Sequence, residues 1–599
     1  MLMYTPTMAT LQKRKSRGHT YWSIVESRRV NGKPRPVILE YLGTANTLLK
    51  RLREGIPQKV QSYSHGIVAI MLDIAEELRI VETINKYVSQ KQLRDGFTVG
   101  GSLLLAAIGR VCQPTSKRNW YEGWAKHTSL SYLIRRSLNK LDSQHFWDQM
   151  GALPVTSIPL IEEEIIKTLV KRYEITFDTL LCDTSNFFTY ISSTNNRCSL
   201  AKRGRNKQKR MDLRQLGLLL LVSRQDQIPI FHKLYQGNLA DKTVFKEHFE
   251  KVLSRFRAIC GSLENITMVF DQGNNSKDTL KEVSNNVYFV GALSPYHHKG
   301  LIEEANRSFI NIEVNGHNIR CYRVRSRIWG LDLTALVYIS EKLYSGQVRG
   351  ILQNINKLFD KLHNMKEKIN TPTKKGRKRD RKKLENKITS LIASHVPDNL
   401  IGWDLHHVTD DAFELDYWVD EEQFEILKTK WLGRRILITN RHQWATEEII
   451  SAYWGQSNIE CVFKTIKNPF HLALRPQYHW TDQKIEVHGF ICLLALLLVM
   501  VAYKKAKEKA GFKGSPHSLL ERLSAIRLAT FIENPSQKTR GRYRAVHCLE
   551  DMDDELYALA EAMGLVEEEK IWYPFQCIQL VKPFMQMFTI CYLVLWVIA

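Results

Sequence analysis

The chain has 599 residues, of which 44% are hydrophobic, enough for two to four domains with sizeable cores. Its 86 Lys and Arg against 62 Asp and Glu give a formal charge of +24, which asks for a polyanionic partner: nucleic acid, or an anionic membrane surface as the alternative. The ten cysteines stand singly with no Cys-x2-Cys pair, which argues against a zinc finger, and residues 1–20 are polar and basic, unlike a signal peptide, so a reducing cytoplasm is expected.

Residues 1–62 form a basic hairpin region. Strands are expected on both sides of Asn31-Gly32, a turn pair that favours a hairpin, and Lys13, Arg14, Lys15, Arg17, Arg28 and Arg29 make it either an end-binding DNA module or a plain structural lead-in. Residues 63–173 read as helical: 65–78 and 158–173 are amphipathic and 99–111 is almost wholly apolar. From residue 174 the period changes. Strands are expected at 175–182, 213–222 and 228–235, then a helix at 241–255, a strand at 266–270, a helix from Ser276 and a strand at 287–292. Asp183 and Asp271 fall at the ends of the first and fourth strands. This order is that of an RNase H-like α/β core, in which the first and fourth strands are neighbours. Arg203, Arg205 and Lys207 lie in a basic run between strands one and two, read either as a phosphate grip or as a solvated loop.

Residues 296–440 interrupt that core with a mixed β and helical insertion. Strands are expected at 309–314, 319–324 and 333–339, with a long charged helix at 345–394 broken near Thr371-Pro372-Thr373 and followed by a Lys- and Arg-rich run at 374–383. A strand at 434–439 leads into one helix that Thr446 caps and Asn468-Pro469 stops. On a wheel of about 100° per residue, Tyr453, Gln456, Glu460, Lys464 and Lys467 share a face about 80° wide, with Ile459, Val462 and Ile466 opposite. A carboxylate among cations either holds a metal beside phosphate or is a solvated Glu–Lys stripe. The apolar run 489–503 is short for a bilayer span and reads as a buried helix, the run 582–599 as a packed terminal helix or strand, so no membrane partner is expected; residues 511–599 read as a helical C-terminal region.

The spacing Tyr453-x2-Gln456-x3-Glu460-x6-Lys467 resembles the Tyr-x2-Arg-x3-Glu-x6-Lys signature of insertion-sequence transposases with a DDE triad, with glutamine where the signature has arginine. With Asp183 in Asp-Thr-Ser-Asn-Phe-Phe and Asp271 in Val-Phe-Asp-Gln-Gly-Asn-Asn-Ser, residues 12–505 resemble the large "insertion sequence 4" group. The segment from Arg475-Pro476 to His488, the Gly237-Asn238 turn with Asp241, and Tyr41-Leu42-Gly43 are similar to one sub-branch of it. The resemblance implies an RNase H-like core split into residues 174–295 and 441–510 around the insertion. It also implies that Asp183, Asp271 and Glu460 hold two Mg²⁺ ions, with Mn²⁺ as a substitute, for cleavage and strand transfer by in-line displacement. Tyr453 and Lys467 would bind end phosphates, and Lys464 would replace the missing arginine. The implied partners are double-stranded DNA, as terminal inverted repeats and as target, and a second copy of the chain, in a prokaryotic cytoplasm or nucleoid. The competing readings are another RNase H-like nuclease, acting on Holliday junctions or RNA–DNA hybrids, and a decayed transposase that only binds DNA. Asp178, Asp241 and Asp278 read as turn or cap residues, and His479 and His488 as structural.

Overall fold

The computed structural model describes residues 10–566, apart from 17, 31–32, 48, 50–58, 90–93, 176, 207, 272–276, 372–378, 410–411, 469, 471, 473, 475–477 and 534–543. The apolar terminus 582–599, the turn pair Asn31-Gly32, Lys207 and residues 374–378 of the basic run therefore lie outside the described residues. The chain forms two compact units, one of residues 1–76, 108–147 and 501–599, the other of 77–107 and 148–500.

The first unit opens with three antiparallel strands rather than two: β1 (Thr10–Ser16), β2 (His19–Val30) and β3 (Lys33–Thr44). Val30 pairs with Lys33, and a positive φ of 79° at Gly18 serves the turn from β1 into β2. Strand β4 (Lys59–Ser64) follows.

The second unit is built on one nine-stranded sheet. One end of it is β5 (Thr179–Thr189), β6 (Arg214–Ser223), β7 (Pro229–Gln236), β8 (Thr267–Phe270) and β9 (Tyr288–Leu293), with β7 at the edge. Strands β5, β6 and β7 are antiparallel neighbours, whereas β5, β8 and β9 run parallel, so the first and fourth strands are adjacent. The parallel steps use helical crossovers, α1 (Asp241–Cys260) and α2 (Lys277–Ser284), as parallel pairing requires. One face of this sheet is an apolar core of Leu180, Cys182, Met268, Phe270 and Phe289 against Phe245, Phe249 and Phe256 of α1.

The insertion is not separate from that sheet. Strands β10 (Ile310–Val314), β11 (His317–Ile328) and β12 (Leu331–Ile339) extend it, joined to β9 through β15 (Arg434–Thr439). Between β12 and β15 lie α3 (Glu341–Asn370), α4 (Arg381–Ala393), a hairpin of β13 (Ile401–Thr409) and β14 (Ala412–Val419), and α5 (Glu421–Lys430). These enclose a second core that includes Leu358, Leu362, Ile388, Phe413, Leu415 and Phe424. Arg379 donates to the carbonyls of Lys368, Ile369 and Thr371 at 2.7–2.8 Å, closing the C-terminus of α3, and Asp380 caps α4. Part of the basic run is thus folded into the helix junction.

The glutamate segment is two helices, not one: α6 (Thr446–Trp454) and α7 (Gln456–Lys467), meeting at Gly455. Thr446 is the first helical residue rather than the cap; Glu448 reaches back to accept from the Ala445 N–H at 2.7 Å. Helix α8 (Asp482–Ala510) is apolar and long enough to cross a membrane, and 94% of its most apolar window is buried. The described residues after it are not all helical. Beyond the helix Pro516–Ala525, strands β16 (Arg527–Glu533) and β17 (Arg544–Leu549) form a sheet with β4 in the order β17-β16-β4, before the helix Asp554–Ala562. The segment Arg-Leu-Ala-Thr-Phe-Ile-Glu is short and mixed in polarity, so its period is weak; pairing with β4, far away in sequence, makes it a strand.

Candidate active site

Asp183 is not the last residue of its strand. Strand β5 continues through Phe187, Phe188 and Thr189 because these β-favouring residues keep pairing with β6, from Asp183 opposite Leu220 to Thr189 opposite Arg214. The parallel register sets Leu181 beside Val269 and Cys182 beside Phe270, and Asp183 and Asp271 each follow that last matched pair. Side chains alternate along a strand, and Cys182 and Phe270 point into the apolar core; the two aspartates therefore share the opposite face. Asp183 is half-buried and accepts from the Thr184 N–H at 2.7 Å, while Asp271 is exposed just past the end of β8.

Helices α6 and α7 lie across that face, with α6 against β8, β9 and β15 and α7 against β5. Arg224, just past β6, fixes their junction: its guanidinium donates to the Ser451 carbonyl at 2.9 Å and hydroxyl at 2.7 Å, and its carbonyl accepts from Asn458 Nδ2 at 3.0 Å. A Cβ on Gly455 would lie 2.9 Å from the Ala452 carbonyl and 3.1 Å from the Arg224 stem, so the close approach excludes a side chain there.

The break separates the residues of the helical wheel. Tyr453, only 4% exposed, belongs to α6, and its hydroxyl donates to Asp271 Oδ1 at 3.0 Å. Glu460 and Lys464 are exposed on α7, whose buried side is Ile459, Val462, Phe463 and Ile466. Gln456 is half-buried, and among the described residues its Nε2 is buried with no hydrogen-bond partner. Lys467 donates to the Ser185 hydroxyl and lies 5.1 Å above the Phe187 ring, both on the Asp183 face of β5. Arg203 is exposed and donates to the Ser193 hydroxyl at 3.0 Å; Arg205 is exposed too.

Arg435 is the residue that sequence reasoning passed over. It sits on β15, where Ile436 and Ile438 face the apolar core, so it projects to the aspartate face. It donates to the Tyr453 hydroxyl at 2.8 Å and its guanidinium lies 5.2 Å from that ring. A chain Arg435–Tyr453–Asp271 results. Burial, then the neighbouring Asp271 charge, pushes the Tyr453 phenol well above its ordinary pKa, so it is held as a hydrogen-bond donor. The only sequence signal was the Arg434-Arg435 pair opening an apolar strand.

Three carboxylates are hard oxygen donors of the kind that Mg²⁺ takes. The register brings two of them together on one face; Glu460 comes from the helix above. Among the described residues, no group of three or more His, Cys, Asp or Glu side chains stands ready to hold a metal ion. His479 and His488 stack with ring centroids 4.5 Å apart, His488 is buried, and its Nε2 faces the Leu474 carbonyl at 3.3 Å, a packing arrangement. Asp178 is engaged locally, accepting from the Thr179 N–H at 2.7 Å.

Residues 9–64 match the N-terminal domain of the IS1634 family of transposases. That match supports an insertion-sequence transposase in general and does not reach the group named from the motifs. No curated protein matches the chain. Among solved structures, a piggyBac transposase synaptic complex with hairpin DNA is similar over 76% of this chain and 79% of that one, at 10% identity and a TM-score of 0.35, too slight a likeness to carry a conclusion.

Proposed function

We propose that the chain is a DNA transposase that cuts at the terminal repeats of an insertion sequence and joins the 3′ ends to target DNA. The observation that best supports this reading is that Asp183 and Asp271 each directly follow the last matched pair of β5 and β8, with the helix that bears Glu460 packed on β5. The strand order supports an RNase H-like core, with three antiparallel strands and two parallel strands meeting at β5. The N-terminal match and the charge of +24 support DNA as the substrate.

Asp183, Asp271 and Glu460 would hold the divalent ions, which would supply Lewis-acid activation of a water or a 3′-hydroxyl and charge neutralisation at the leaving oxygen. The protein's own part is orientation. Tyr453 holds one oxygen of Asp271 and Arg435 holds Tyr453, so that carboxylate has a fixed direction. Lys467 is held over β5 by Ser185 and Phe187, where its ammonium faces a phosphate bound at Asp183. Lys464, one turn from Glu460 and exposed, supplies the positive charge that Gln456 lacks. Two ends must be brought together, so the active species is a dimer on DNA.

The test uses the full chain, Mg²⁺ and a duplex ending in the repeats that flank its gene. Cleavage at the repeat boundary is expected, falling about 10³-fold or more in Glu460→Gln and Asp183→Asn while end binding persists. Binding without cleavage by the unmodified chain would make it an end-binding protein only. Cleavage unaffected by both substitutions would place the chemistry elsewhere.

A further inference from the structure

The loop joining β5 to β6, residues 190–213, carries seven Lys and Arg and one Asp, a net charge of +6. It is fastened to the first residue of α8 and to the segment just ahead of it. The Ser199 and Leu200 N–H groups and the Ser199 hydroxyl donate to the Asp482 carboxylate at 2.5–3.0 Å, and Asn195 Nδ2 donates to the Trp480 carbonyl at 2.9 Å. Burial opposes ionisation of Asp482, yet these donors outweigh it and hold its pKa below the ordinary value. Arg214 ties the loop to itself through the carbonyls of Ser193 and Asn195 at 2.6 and 2.8 Å.

Three aromatic rings stand on this frame with much of their surface in solvent. Tyr190 is 56% and Tyr478 64% exposed, with ring centroids 5.6 Å apart. Trp480 is 43% exposed and has the Arg197 guanidinium 5.7 Å above its ring. A patch of large apolar rings left in water asks for an occupant. Rings interleaved with arginines match one kind of occupant: the flat faces stack bases and the cations meet phosphates.

We propose that Tyr190, Tyr478 and Trp480 form a stacking platform for unpaired bases of a DNA strand, with Arg197 and Arg203 on its phosphates; this rests on the transposase reading. Tyr190 lies seven residues past Asp183 along extended backbone, about 23 Å away at 3.3 Å per residue. That equals about seven nucleotide steps at the 3.4 Å rise of a stacked duplex strand, and fewer for an extended unpaired strand. The platform therefore takes bases within about seven positions of the phosphate being cut.

The experiment uses the full chain, Mg²⁺ and a duplex bearing the flanking repeat with a single-stranded extension. The fluorescent base 2-aminopurine is placed at successive positions of the extension. Quenching is expected to peak within about seven nucleotides of the cut. Tyr478→Ala and Trp480→Ala are expected to abolish it and to weaken binding about five- to hundredfold each, whereas Tyr478→Phe keeps both. Thermal midpoints of the variants check that these exposed substitutions leave the fold intact. Equal quenching and affinity in the alanine variants, or no quenching by a chain that still cleaves, overturns the platform and leaves the transposase reading standing. Quenching that the alanine variants lose, without any cleavage by the unmodified chain, overturns the transposase reading and supports the platform. Quenching and binding lost equally in Tyr478→Phe would make the segment a structural clamp and overturn the platform.

Discussion

Tyr453 shows how one side chain turns sheet geometry into a site. Its ring is buried, its hydroxyl donates a hydrogen bond to Asp271 and accepts one from Arg435, and its raised pKa keeps it a donor through neutral and mildly alkaline pH. Tyr453→Phe removes both hydrogen bonds and keeps the packing. The expected result is a cleavage rate lower by about 10- to 100-fold with end binding little changed, because Asp271 loses its orientation rather than its charge. Arg435→Met should give a similar loss with about 1–3 kcal/mol of destabilisation from the buried phenol oxygen left without its donor, partly rescued by Arg435→Lys. A thermal midpoint beside single-turnover rates checks both, and a rate unchanged in Arg435→Met would reduce that residue to a packing role. The two aspartates were legible as candidates because each follows an apolar, β-branched run. Arg435 was not, because its meaning depends on which face of β15 it occupies and on a tyrosine eighteen positions later, neither of which is present in local spacing.

Single glycines set how the elements meet. The turn after β7 needs Gly237: its position is crossed by Gln215, whose carbonyl would lie 2.0 Å from any added Cβ and whose Nε2 donates to the Gly237 carbonyl at 2.7 Å. Gly237→Ala is expected to cost about 2–3 kcal/mol or more, read as a drop in thermal midpoint, since the neighbour in the way is backbone and cannot rotate aside. Gly455 does the same between α6 and α7. The Gly237-Asn238 turn was visible in the sequence; the break at Gly455 was not, since a helical wheel runs one period through a junction that only the clasp by Arg224 reveals. The strands and helices from β5 to β9 were legible because short apolar runs and helical period follow one another cleanly there. Hairpin β13–β14 was missed because its residues are charged and mixed, Asp404, His406 and Glu414 among them, and only the packing of Leu405, Phe413 and Leu415 on α3 and α4 sorts its faces. The union of the insertion strands with the main sheet was also hidden: it rests on the pairing of β12 with β15, across about a hundred residues, and register between distant strands leaves no local trace.

At the scale of the whole molecule the question is what the charge of +24 does. Much local charge is already spent: Arg210 on Asp212 at 2.7 Å, Arg325 on Asp332, Lys366 on Asp416 at 2.9 Å, pairs that lower the field without binding anything. What remains should act as counter-ion to DNA. If six to ten phosphates are neutralised, affinity for the repeat should fall by about 10³- to 10⁵-fold between about 50 and 200 mM salt. Filter binding across that range measures the slope, and a flat response would argue against a nucleic-acid partner altogether. The same measurement separates the two components of the β5–β6 loop. Removing a phosphate contact, as in Arg203→Ala or Arg205→Ala, should make the logarithmic salt slope shallower by about one unit per residue. Removing a stacked ring, as in Trp480→Ala, should lower affinity at every salt concentration and leave the slope where it was, since stacking on a neutral ring releases no counter-ion. A slope that changed with Trp480→Ala would mean that the ring serves chiefly to hold Arg197 in place, 5.7 Å above it.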